Sequence, residues 1–216
     1  MRTICVVLAM GAVFAFCAGV DMHSAVVRAV AAERSGDYQE AVTLYSAVLS
    51  AHPENVESRE GRGRSYFALT EFGLAAGDFA YILRQQPADE YSKIWLFLSK
   101  RRKGDFASKK LDTELMGYEG VAWPEPIVEY LAGRSDWETM FDTAMALPGT
   151  DRKRAICESA FFYAENEMVL GEAVIAMGEF GFVKASRCAV TPPLRALAQY
   201  QYDTLYQAGF RPKPSA

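Results

Sequence analysis

The feature that most restricts this sequence is a register of 34 residues. Pro53 and Pro87, Ala41 and Ala75, Tyr45 and Phe79, and Tyr38 and Phe72 are each separated by that interval. The residues between them share little spelling. Self-similarity at this period marks a unit of two antiparallel helices. One such hairpin is too small to bury its own apolar face, so the units must stack. The recurring residue types follow from that packing. Alanine at the crossing lets two helices approach, Tyr45 and Phe79 fill the space between hairpins, and proline stops the second helix. The expectation is an all-α solenoid of antiparallel helix hairpins, closed by a C-terminal capping helix.

The units read as 22–55, 56–89 and a degenerate 90–110. In the second, Gly63, Tyr66, Ala75, Phe79 and Pro87 all fall on signature positions of the tetratricopeptide repeat (TPR). The first keeps Gly36, Tyr38, Ala41, Tyr45 and Pro53 but has Ala29 and Ala32 where an early glycine and aromatic would stand. The third predicts a helix from Tyr91 to Arg102, ending at Gly104-Asp105-Phe106 in phase with Gly36-Asp37-Tyr38. Lys109 at its crossing position predicts a splayed hairpin. Residues 111–150 read as an irregular helical connector with two short helices. Pro124 or Pro126 opens the first and Gly133 closes it, and a capping box of Ser135 with Glu138 opens the second. Residues 151–208 return to the frame with Ala164, Gly171, Ala176 and Phe180, followed by a helix from Leu194 to Gln207 that covers the end of the stack. Residues 209–216 are a tail.

Residues 1–19 read as a signal peptide: Arg2, then the apolar run Ile4 to Phe16, then small residues around Ala15 to Gly19. Cys17 is a candidate lipidation site, although Phe16 precedes it where a lipobox has a small residue. Cleavage, lipidation and an uncleaved anchor are the alternatives, and each places the remaining chain outside the cytoplasm. Cys157 and Cys188 are then an even pair in an oxidising compartment. Cys157 is expected to start a helix and Cys188 to follow that helix's partner, which makes a disulfide the expectation. Two small buried hydrophobes are the alternative.

Charge and motifs exclude more than they assign. A formal charge of −4 without a dense basic block argues against nucleic acid. "GRGRSYF" lacks the third glycine of a dinucleotide fingerprint, and no metal or phosphate-loop motif occurs. No cofactor and no catalytic residue are expected. Glu158, Glu165, Glu167 and Glu172, and Glu125 with Glu129, read as solvated helix faces. Lys100 to Lys110 reads as a solvated helix end, or as a patch that steers an acidic partner or touches anionic lipid or glycan. Binding is the better expectation, because the first helix of each hairpin lines a concave side. TPR positions 2, 5, 9, 12 and 13 place His23, Val26, Val30, Glu33 and Arg34 there from the first repeat. The second contributes Glu57, Glu60, Arg64, Phe67 and Ala68, and the third Tyr91, Ile94, Leu98, Arg101 and Arg102. The candidate partner groove is Glu60, Arg64, Phe67, Tyr91, Ile94, Arg101 and Arg102, with arginines for carboxylates and Phe67, Tyr91 and Ile94 for apolar anchors. Ile94 and Leu98 join the core instead if later helices fold back over them.

The order of blocks resembles the bacterial NlpI-type TPR lipoproteins: two repeats, then "SKIWLFLSKRRKGDF", "WPEPIVEYLAG" and "CESAFFYAENEMVLGEA". That resemblance implies a non-catalytic adaptor of the cell envelope on the periplasmic side of an outer membrane. It implies protein or extended-peptide partners, among them proteases and peptidoglycan hydrolases, frequent homodimers, and membrane contact only through a lipid anchor. A self-associating structural subunit and a cell-wall hydrolase are the competing readings.

Overall fold

The computed structural model describes residues 22–105, 122–186 and 191–212. Among them are ten helices and no strand. Two hairpins come first, α1 (Met22–Ser35) with α2 (Tyr38–Ala51), and α3 (Val56–Ala68) with α4 (Phe72–Gln85). Then follow α5 (Glu90–Arg102), α6 (Glu125–Leu131), α7 (Trp137–Ala146), α8 (Gly149–Leu170), α9 (Ala173–Ala185) and α10 (Pro192–Gln207). Consecutive helices pack pairwise from α1 to α5 and again from α8 to α10. Cys5, Cys17, Lys109 and Cys188 lie outside the described residues, as do residues 1–19.

The 34-residue register is visible in the turns. Asn55 and Asp89, one period apart, cap α3 and α5 by accepting the backbone N–H of Ser58 and Ser92. Gly36 and Gly104 end the first helix of their units at φ +81° and +93°. The position between them is Thr70, held at φ +62°. A β-branched residue in the left-handed region is strained. Thr70→Gly is expected to raise the unfolding free energy by about 0.5–1 kcal/mol, measured as a higher urea midpoint.

Close approach follows where the small residues stand. Ala29, Ala41 and Ala75 are fully buried at helix crossings. Gly63 lets α3 pack onto Phe79, whose ring would lie 2.8 Å from an added Cβ. Gly61, which no signature position flags, makes the same room for Tyr45. Arg59 and Arg62 of α3 both donate to the buried carboxylate of Asp78 in α4, at 3.2 Å and at 2.7–2.8 Å, which ties the second hairpin together.

Three local expectations are corrected. The cap of α7 is Asp136 rather than Ser135; its Oδ1 accepts the Thr139 N–H at 2.8 Å. Helix α8 begins at Gly149, so Cys157 lies well inside it, opposite the end of α9, with its Sγ 3.1 Å from the Ser186 Oγ. Finally, α10 does more than cover the end of the stack. It packs on α9 and reaches back to α1 and α3, with Tyr200 set edge-on to Tyr38 at 4.9 Å. Helix α8 in turn packs on α5, α6 and α7. Residues 157–162 of α8 are all buried, the mark of a helix wrapped on every side. The C-terminal helices therefore fill much of the hollow that α1, α3 and α5 would otherwise leave open.

Candidate binding face

Residues expected to line a groove fall into three groups. Phe67, Ile94 and Leu98 are fully buried in the main core, so their assignment to a groove is corrected. The reason is the return of α8 and α10: Phe67 packs edge-on against Phe72 and Trp95, and Trp95 against Phe161 and Phe162 of α8. Trp95 thereby joins the repeats to the central helix.

The arginines form the second group, and two of them serve internal carboxylates. Arg64 donates to Glu33 from Nε at 2.7 Å and from Nη2 at 3.2 Å, and the Tyr45 hydroxyl donates to the same carboxylate at 2.8 Å. Glu33 is 1% exposed. The network joins α1, α2 and α3, and Glu60 completes it 3.8 Å from Arg64. Arg102 likewise donates to Glu165 of α8 at 2.5 Å, and Gln201 of α10 donates to the other oxygen at 3.3 Å. Burial pushes the Glu165 carboxyl up to about 7, against the pull of Arg102. Arg101 lies 5.4 Å from the Phe97 ring. Arg64 and Arg102 are thus internal ion-pair partners rather than a row of cations facing a groove.

The carboxylates of α8 and α6 are corrected too. Glu158, Glu165, Glu167 and Glu125 are buried, not solvated; Glu172 is exposed. Glu125 sits at the start of α6 with Oε2 unbonded. Burial first, and the neighbouring Glu129 carboxylate second, push it up to about 7. A carboxyl raised above its ordinary 4.5 favours the folded state when protonated. That contribution is complete below about pH 4.5 and is lost as pH rises through about 7. Glu125→Gln should therefore be more stable than the parent at pH 8, by on the order of 1–3 kcal/mol, and nearly equal at pH 4.5. Urea melts of both proteins across that range measure the difference.

Two inner surfaces stay open. One is a shallow depression of about 620 Å³ along α1, lined by His23, Val26, Val27, Val30 and Arg34 and bordered by Glu57. Four of the five positions read from the first repeat line it, and Val27 is 52% exposed. It continues past Arg34 toward Lys184 and Arg195. The second is a cleft of about 270 Å³ between α3, α5, α8 and the start of α10. Glu60, Arg64 and Tyr91 of the expected groove line it, above a floor of Phe79, Trp95, Phe162 and Leu194. Arg154 and Glu158 also line it and were not expected there. Their i,i+4 spacing sets Arg154 and Glu158 on one face of α8, but spacing alone does not say which neighbour that face meets. Glu158 accepts from the Tyr91 hydroxyl at 2.8 Å and from the Trp123 indole N–H at 2.6 Å. Burial raises its carboxyl, opposed by those two hydrogen bonds.

The tetratricopeptide repeat family matches residues 26–90, which span the two N-terminal hairpins. With the pairwise helix packing, this makes the fold an all-α solenoid with TPR hairpins over residues 26–90. TPR arrays act in general in protein–protein contact, and their fold is characteristically a scaffold rather than a catalyst. No described helix is long and apolar enough to cross a membrane.

Proposed function

We propose that the chain is a non-catalytic adaptor of the cell envelope that holds a partner protein on the open part of its inner face. One observation carries the reading: although α10 packs on α1, a depression along α1 stays open, with Val27 and Val30 over buried Val26, between His23, Arg34 and Glu57. An apolar strip with charges at both ends suits an extended segment of another protein. The resemblance to NlpI-type lipoproteins supports an envelope location, with proteases or peptidoglycan hydrolases as the partner class. Export is supported by the leader-like residues 1–19.

A double substitution tests the surface. Val27→Asp with Arg34→Glu is expected to abolish capture of the partner by immobilised protein and to shift stability by no more than about 0.5 kcal/mol. A control on the outer helix, Gln39→Lys, should capture normally. Undiminished capture by the double variant would remove this surface from the reading. A strictly monomeric chain in light scattering would remove the competing self-association reading. In the same proposal Cys157 and Cys188 are bridged, supported by the position of Cys157 beside Ser186, two residues before Cys188. Intact mass of protein from its native membrane fraction reads the bridge, the leader and any lipid on Cys17 together. Two free thiols there would overturn the bridge.

A further inference from the structure

We propose that the cleft between α3, α5, α8 and the start of α10 receives a single basic side chain, lysine or arginine, presented by the partner. This rests on the adaptor reading and names the chemistry of one anchor within it.

The cleft has an apolar floor and an unbalanced polar wall. Glu60, Asp89 and Glu158 face two guanidiniums, Arg64 and Arg154. Arg64 is shared between Glu33 and Glu60, and Arg154 pairs with Asp151 at 3.2 Å while its charge also acts on Glu158, so two cations serve five carboxylates around the cleft. Glu158 is 3% exposed, receives only two neutral donors, both at Oε2, and has no ion pair among the described residues. A buried carboxylate that has only a distant counter-charge and no direct ion pair is costly, and an arriving cation compensates it. A second buried polar group points the same way. Ser92 lines the cleft, is 1% exposed, and its Oγ has no hydrogen-bond partner.

Three properties select the ligand. The aromatic floor calls for an apolar stem, which lysine and arginine carry below the charged head. Tyr91 lines the same cleft, and an aromatic ring favours a cation near its face. The volume of about 270 Å³ admits one side chain and excludes a helix. A metal ion would leave the floor unfilled, and no three metal-ligating groups cluster among the described residues. An acidic side chain would meet three carboxylates. The cleft adjoins the open depression along α3, where Glu57 borders one and Glu60 lines the other. One extended segment can reach both.

The test uses the full chain and four N-acetylated, C-amidated nonapeptides of Gly, Ser and Ala, carrying Lys, Arg, norleucine or Glu at the centre. Isothermal titration should show the Lys and Arg peptides binding at least about tenfold tighter than the other two. Glu158→Gln keeps an oxygen for Tyr91 and Trp123 and should erase that preference. Thr191→Trp, at the exposed rim, should block the Lys peptide without touching the carboxylates. Equal binding of Lys and norleucine, tighter binding of Glu, binding of none, or a preference intact in Glu158→Gln would each overturn the proposal. If partner capture is still lost in the Val27 and Arg34 double variant, the adaptor reading stands and only the basic anchor fails. If capture survives that variant, the open-face reading fails whatever the peptides do.

Discussion

Arg64→Ala is expected to lower the unfolding free energy by about 3–5 kcal/mol, because it leaves Glu33 buried without a counter-ion. The pair joins the first repeat to the second, so the loss should appear as weaker cooperation between hairpins and a broader urea transition. Arg64→Glu should be worse still, since it sets a second carboxylate against Glu33. Pairing Arg64→Met with Glu33→Gln should recover much of the loss, because the isolated charge is the damage. A loss under about 1 kcal/mol for Arg64→Ala, a surface ion pair's worth, would contradict the network. The same geometry bears on any binding assay: a charge reversal at Arg64 reports on folding as well as on recognition.

Gly61→Ala is expected to destabilise by about 2–4 kcal/mol, while Gly77→Ala stabilises by about 1 kcal/mol. Both glycines lie inside helices, so the gain in helix propensity is shared. At Gly77 an added Cβ meets nothing within 4 Å. At Gly61 it would overlap the Tyr45 ring, which is fully buried and fixed through its hydroxyl to Glu33. The ring can move only by straining the core and weakening that hydrogen bond. Urea melts of the two variants test the contrast in sign. A stabilised Gly61→Ala would show that the second repeat does not sit on Tyr45 as described.

The repeated hairpins were legible because a 34-residue period is a local matter. Proline stops, alanine crossings and aromatic fillers act within one unit and its neighbour, so Ala41 with Ala75 and Tyr45 with Phe79 can be read without knowing the rest. The return of α10 was not legible. Leu194, Leu197, Ala198 and Leu205 announce a buried stripe but not the helix that receives it. That one uncertainty decided the groove: covered by α8 and α10, Phe67 and Ile94 are core, while His23 and Arg34 stay exposed, Val30 half-buried and Val26 buried beneath them. Glu158 and Glu165 misled for a related reason. A helix buried on all sides carries its carboxylates inward, and their partners, Tyr91, Trp123, Arg102 and Gln201, come from 35 to 67 residues away in sequence. Thr70 was hidden because a threonine gives no sign that its backbone must take a glycine's conformation.

Helix α10 lies against α1 and α3 and narrows the inner face of the first two repeats. An aromatic NOE between Tyr38 and Tyr200 in the tyrosine-labelled full chain measures this most directly. At a ring separation of 4.9 Å a strong cross-peak is predicted, lost in Tyr200→Leu. Absence of that cross-peak in the parent protein, with α10 amides exchanging as fast as those of an undocked helix, would contradict it.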